Sequence, residues 1–304
     1  MPHTLKRPII FGEVLFDRFP DETVLGGAPF NVAWHLQGFG SFPLLISSVG
    51  NDQAGESVKQ AMQAWNIDRS GLQTDSSHPT GAVDIQMQGK EHRFEILADQ
   101  AYDYIDPGLA REALHKTEPI LFYHGSLAVR TERNRQVLNA LLDESTLPVF
   151  IDVNLRDPWW EAEHIPAMLK RAQWVKVNDE EIDLLADRAN LAAGNLEATA
   201  QRFLEHYDIS LLIVTLGSHG AAAFTAEEEV VRVTPEQNSA IVDTVGAGDA
   251  FSSVILLGLM QGWPLAETMQ RAQAFASRIC QQRGATSADI ALYKEILNKG
   301  NSNS

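Results

Sequence analysis

Along most of the chain, short runs that are apolar throughout alternate with longer stretches whose apolar residues recur at helical spacing. The short runs are "PIIFGEV" (8–14), "FPLLISSVG" (42–50), "PILFYHG" (119–125), "PVFIDVN" (148–154), "QWVKVN" (173–178) and "SLLIVTLG" (210–217). A parallel sheet is covered by helices on both faces, so its strands read as unbroken apolar runs rather than alternating ones. Between them, "APFNVAWHLQGFG" (28–40), "AGESVKQAMQAW" (54–65) and residues 131–144 predict helices, the first with Pro29 near its start and glycines at its end. The order predicts an α/β fold, a doubly wound and mostly parallel sheet with helices on both faces.

One segment departs from this rhythm. In "GAVDIQMQGKEHRFEIL" (81–97), Val83, Ile85 and Met87 alternate with Asp84, Gln86 and Gln88, and Gly89-Lys90 stands at a turn. A period of two marks a hairpin with one wet face, and in a parallel-sheet protein such a hairpin is a candidate lid. The expected lid takes in about residues 14–26 and 80–98. No linker, repeat or charge block interrupts the chain, which predicts one domain over 1–296 and a flexible tail over 297–304.

Composition narrows the classes. Of 304 residues, 44% are hydrophobic, the level of an ordinary globular core. The net charge of −16, from 24 basic and 40 acidic residues, argues against nucleic-acid or anionic-membrane binding, since the field repels both. Cys280 is the single cysteine, so an internal disulfide and a zinc cluster are excluded. There is no signal-peptide pattern, and the longest apolar run, "VILLGLM", is too short to span a membrane. These features predict a soluble, cytoplasmic protein.

The chemistry concentrates in "IVDTVGAGDAFSSVILLGLM" (241–260). Unpaired amides and the dipole at a helix start attract anions, and glycines let a phosphate approach them. Gly246, Ala247 and Gly248 thus offer donors, and Asp249 stands where a carboxylate could accept a proton from a hydroxyl. The loop contains no lysine and is not a Walker loop. By itself a Gly-Ala-Gly-Asp run fits equally a tight turn with a carboxylate complementing the helix dipole.

The full string "DTVGAGDAF" resembles the C-terminal signature of the ribokinase-like (PfkB) sugar kinases. "LGGAPFNVAWHLQGFG" (25–40) resembles their N-terminal signature. The resemblance runs from about residue 9 to about residue 290 and is strongest to bacterial fructokinases. It implies that the loop amides hold the transferred phosphoryl group and that Asp249 is the general base. It further implies that Asp17, placed at the end of the first strand, binds the sugar together with Gly26, Gly27 and Asn31.

In "NDEE" (178–181), Asn178 and Glu181 have the spacing of a capping box. The resemblance adds a role in positioning the nucleotide phosphates and, for Glu181, Mg2+ through water. In "IDVNLRDPWW", a period of two places Asp152, Asn154 and Arg156 on one side of a strand exit, and Arg156 is a candidate cation for phosphate. "VTLGSHG" resembles the nucleotide-binding turn, with Thr215, Gly217 and Gly220 near ATP, and also fits a hairpin between strands "AAAF" and "VVRV". Gly284 matches a loop flanking adenine, and Asp243 is a candidate support for a monovalent cation (K+). His124 ends a strand with nothing to fix its orientation. The six tryptophans are expected in the core or at its rim.

These expectations describe an ATP-dependent kinase that phosphorylates D-fructose to fructose 6-phosphate, and that forms a homodimer through its lid. The alternatives are a kinase of 2-keto-3-deoxygluconate, of another sugar or nucleoside, or of a phosphorylated sugar, and a non-catalytic sensor, against which Asp249 argues. "GGAPFNVA" favours fructose over ribose. Asp99, Asp103 and Asp106 are expected to repel a sugar acid.

Overall fold

The structure, a computed structural model, describes residues 6–88, 91–235 and 241–298, and the chain divides into two compact units. In the first, Met1–Phe122 with Ala128–Leu147, β1 (Lys6–Phe11) is followed by the short strands β2 (Leu15–Arg18) and β3 (Thr23–Gly26) and by α1 (Ala28–Gly38). Pro29 lies in the first turn of α1, where a missing N–H costs nothing. Next come β4 (Leu44–Gly50), α2 (Gln53–Ala64) and β5 (Leu72–Asp75); the Asp52 carboxylate caps α2 by accepting from Gly55 N at 2.7 Å. The hairpin β6 (Gly81–Gln88) and β7 (Glu91–Ile96), then α3 (Pro107–His115), β8 (Glu118–Gly125) and α4 (Glu132–Asp143), complete the sequence of elements.

Within this unit β8, β1, β4 and β5 are neighbours in that order, with β1–β4 and β4–β5 parallel. Ile9, Ile10 and Phe11 of β1 and Leu44, Leu45 and Ile46 of β4 are fully buried, and α1 packs on both strands. The predicted hairpin is half of a separate four-stranded sheet, in the order β3-β2-β6-β7. Val83 and Ile85 turn inward with Leu15 and Tyr102 to give that sheet its own small core, as the period of two requires. The turn at Gly89-Lys90 and the side chains of Gln86, Met87 and Gln88 lie outside the described residues.

Asp17 is on β2, not at the end of the first strand. β1 stops at Phe11 because Gly12 (φ 148) takes a backbone conformation that few other residues adopt, and a Cβ there would stand 2.5 Å from the Pro29 ring. The chain then enters the small sheet.

The second unit, Tyr123–Leu127 with Pro148–Ser304, takes in the last residues of β8. It continues through β9 (Val149–Asp152), α5 (Ile165–Leu169), β10 (Trp174–Asn178), α6 (Asp179–Arg188) and α7 (Leu196–Tyr207). β11 (Leu211–Thr215), β12 (Ala221–Thr225) and β13 (Val230–Val233) follow, then α8 (Ala247–Gln261), α9 (Leu265–Ile279) and α10 (Ile290–Asn298). β9, β10 and β11 are parallel; β12 and β13 extend the sheet antiparallel, as "AAAF" and "VVRV" predict. Residues 250–258 of α8 are buried on every side, which is why "AFSSVILLG" has no polar face. α10 takes in Leu297 and Asn298, which the sequence pattern assigns to the tail. The six tryptophans are all partly exposed and so belong to the rim. The fold is α/β, with a nine-stranded, mostly parallel sheet and a second, smaller one.

Candidate active site

The glycine loop opens α8 as the sequence predicts, but its two glycines have different reasons. Gly246, the N-cap, is left-handed at φ 77, and a Cβ there would stand 2.3 Å from that of Ala285. Only glycine lets the loop pass Ala285 in this conformation. Gly248 is exposed with ordinary backbone angles, and an added Cβ would meet only Lys176 Nζ, at 3.5 Å. Nothing in the packing requires a glycine there; its bare face leaves the approach open. The Ala247 amide, expected to face a phosphate, donates to Thr244 O at 3.2 Å and closes the turn. Gly248 N, at the second helical position, is one of the donors that a helix start leaves without an intrahelical partner. Asp249 follows in the first turn, half-buried.

Below the loop lies a buried polar group of which the sequence reading names only Asp152. The parallel register sets Lys176 of β10 opposite Asp152 of β9, and Lys176 Nζ donates to both Asp152 oxygens, at 2.8 and 2.7 Å. Ser252 Oγ stands 2.8 Å from Asp152 Oδ2 and 2.9 Å from Gly248 O. The one available signal is a lysine inside the apolar strand "WVKV", since a buried charge demands a partner. Asp152 therefore does not share an open side with Asn154 and Arg156. β9 ends at Asp152, and Asn154 turns left-handed at φ 50, which breaks the alternation. Arg156 is exposed, with Nη1 3.4 Å from Leu155 O.

Asn178 and Glu181 form the predicted capping box: Asn178 Oδ1 accepts from Glu181 N at 2.7 Å, and Glu181 Oε2 from Asn178 N at 2.9 Å. Glu181 Oε1 also accepts from Leu155 N at 2.7 Å, tying the loop after β9 to α6. Burial pushes the Glu181 carboxyl above the usual range, and the nearby Asp152 charge adds to this. Each Glu181 oxygen has a second lone pair, so the carboxylate can still accept from a metal-bound water.

Thr215 ends β11, with Oγ1 3.4 Å from Val177 O. Gly217 and Gly220 flank the short turn to β12, and Gly220 approaches Val233 O so closely that a side chain has no room. Asp243 joins two loops by accepting from Val245 N at 3.0 Å and Gly284 N at 3.2 Å. Among the described residues no group of three or more His, Cys, Asp or Glu could hold a metal ion, and no helix is long and apolar enough to cross a membrane.

His124 is buried, with Nδ1 3.1 Å from Gly125 O. Burial lowers its pKa from 6.5 to about 4, so it is neutral at pH 7. On unfolding it regains its ordinary value. Its stabilising share is therefore complete above pH 6.5 and is lost as the pH falls toward about 4, amounting to roughly 3 kcal/mol. Denaturant titrations between pH 4 and 7.5 should show this slope in the parent and a shallower one in His124→Gln; equal slopes would refute it.

In the first unit, the sugar-binding residues implied by the N-terminal signature come together. A methyl at Gly26 would stand 3.2 Å from Asp17 Oδ2 and 4.0 Å from Asn31 Oδ1, so Gly26 leaves space between a carboxylate and a carboxamide. Asn31 is buried in the first turn of α1, and Gly27 caps that helix. Such a pair can accept from and donate to sugar hydroxyls. The carboxylates set against an anionic sugar do not act together. Asp103 is held by Arg130 at 2.7 and 2.6 Å, both side chains being buried, so its charge is matched. Asp106 caps α3 through Leu109 N at 2.9 Å, and Asp99 accepts from the Tyr104 hydroxyl at 3.0 Å.

The pfkB family carbohydrate kinase model matches residues 10–291. The chain is 30% identical to a fructokinase of Salmonella typhimurium, covering 95% of this chain and 97% of that one. It is 25% identical to 5-dehydro-2-deoxygluconokinase 2 of Bacillus cereus, covering 90% and 86%. A crystal structure of fructokinase with bound ATP from Xylella fastidiosa superposes with a TM-score of 0.84 at 20% identity, covering 98% of this chain and 100% of that one. The protein belongs to the pfkB family of carbohydrate kinases and is an ATP-dependent sugar kinase.

Proposed function

We propose that the sugar is D-fructose and that the product is fructose 6-phosphate. The observation that carries this is the set around Gly26: the Asp17 carboxylate of β2 and the Asn31 carboxamide of the segment "GGAPFNVA", both suited to hydroxyls. The identity to the Salmonella fructokinase over nearly the whole chain supports it. Asp17 and Asn31 bind the sugar, and Asp249 takes the proton of the primary hydroxyl as it attacks the γ-phosphoryl group of ATP. Gly248 N faces the transferred group, whose transition state is loose and carries its charge on the equatorial oxygens. Positioning and fixed dipoles therefore supply most of the acceleration. Glu181 would hold magnesium through water, and the ion would supply charge neutralisation of the nucleotide phosphates. Thr215, Gly217 and Gly284 line the nucleotide, and Asp243 steadies the loops around a monovalent cation. The small sheet closes over the sugar and limits ATP hydrolysis.

The test is a coupled ADP-release assay over hexoses, pentoses, nucleosides and sugar acids. Fructose should give the highest kcat/KM. A higher value for a sugar acid would overturn fructose and leave the kinase activity standing, and the Arg130-matched charge of Asp103 keeps that outcome open to measurement. Glu181→Gln should raise the magnesium concentration needed for half-maximal rate by roughly 3–10-fold, because an outer-sphere carboxylate is lost. An unchanged magnesium dependence, with only a lower Tm, would reduce Glu181 to its helix-capping role.

A further inference from the structure

We propose that Lys176 is a positioning residue for phosphoryl transfer: with Asp152 and Ser252 it forms a buried strut that sets the first turn of α8 and fixes a positive charge beneath Gly248. This rests on the kinase activity above and adds a residue that lies outside both family signatures.

The strut can be traced atom by atom. Lys176 Nζ donates to both Asp152 oxygens, and the two side chains are only 8% and 3% exposed. Asp152 Oδ2 receives Ser252 Oγ at 2.8 Å, and that oxygen lies 2.9 Å from the carbonyl of Gly248, one helical turn earlier. Ser252 has a single proton to place between these acceptors, so the carbonyl of Gly248 and the carboxylate of Asp152 are coupled through it. Lys176 also reaches the loop directly. Beyond its own helix and chain neighbours, the one atom within 4 Å of an added Gly248 Cβ is Lys176 Nζ. An ammonium has three donors, and Asp152 accounts for two of them.

A buried pair that served only to neutralise itself would have little reason to persist. Apolar residues of similar volume are often as good or better, because desolvation offsets the attraction. This pair instead includes the last residue of β9, Asp152, at the carboxyl side of the parallel strands, where ligands bind in such folds. A charge already held in place needs no reorganisation as the phosphoryl oxygens gain negative charge. Buried as it is, Lys176 acts through the loop rather than as a group that takes a proton.

The experiment combines steady-state kinetics and thermal melts on the full chain. Lys176→Met alone strands a buried carboxylate, and its Tm should drop by roughly 5–15 °C. Lys176→Met with Asp152→Asn removes both charges at similar volume, so Tm should return to within about 3 °C of the parent. In that double variant kcat should still be lower by roughly 10–100-fold, with the sugar KM within about threefold. If kcat recovers together with Tm, the pair is structural only and the proposal is overturned. Ser252→Ala tests the link without changing charge: kcat should fall about 3–10-fold at unchanged KM, and parental kcat would overturn the coupling. Should the parent turn over no sugar of the panel, the kinase activity fails, and this inference is then decided by nucleotide binding. The parent should bind β,γ-imido-ATP more tightly than ADP, and the double variant should lose about tenfold of that margin; an equal margin overturns it.

Discussion

Asp249→Asn is expected to lower sugar-dependent ADP release by about 10²–10⁴-fold, the usual worth of a positioned general base. The substitution is nearly isosteric, and Asp249 is half-buried in the first turn of a helix whose buried stretch begins at Ala250. The structural loss includes the carboxylate's interaction with the helix dipole, about 0.3–1 kcal/mol. Tm should move by only a few degrees, and ADP affinity by calorimetry should stay close to the parent's. The amide cannot take the hydroxyl proton at neutral pH, so the loss falls on kcat rather than on sugar KM. Near-parental turnover in this variant would remove Asp249 from the chemistry and leave it a dipole-complementing residue.

Gly248→Val should lower kcat by roughly 10²–10³-fold, comparable to removing one donor of an anion hole, with a smaller change in sugar KM. The fold tolerates the change: the backbone angles are ordinary, the residue is exposed, and the nearest atom to a Cβ, Lys176 Nζ at 3.5 Å, is at ordinary contact distance. What the valine removes is the open face beside the Gly248 amide. Gly246→Ala is the internal control, for the opposite reason. Its left-handed backbone and the 2.3 Å approach to Ala285 make any side chain a structural fault, so its Tm should fall first. If Gly248→Val and Gly246→Ala lost Tm and kcat in parallel, the first substitution would be reporting misfolding, and the role of the Gly248 amide would fall.

The strand and helix order was legible because burial on both faces makes parallel strands apolar throughout, and because helix starts carry local marks such as Pro29 and the Asn178–Glu181 pair. The hairpin was legible because a half-exposed strand must alternate. The two glycine-rich signatures were legible because each is a contiguous string, and a contiguous string needs no fold to be recognised.

What the sequence alone determined is therefore local: which segments are strands, which start helices, and which short loops carry glycines beside a carboxylate. The tertiary structure decided everything that depends on pairing between distant segments. Asp152 looks like one of an exposed series until the parallel register of β9 and β10 sets it against Lys176. Asp103 looks like a free negative charge until Arg130 reaches it from a different part of the chain. Asp17 looks like the end of the first strand until Gly12 diverts the backbone past Pro29 into the second sheet. Gly246 and Gly248 look equivalent until Ala285 comes close to one and not the other. Periodicity records how a segment meets solvent and core; a side chain's partner depends on which other segment the fold brings beside it, and that is a property of the register and not of the local string.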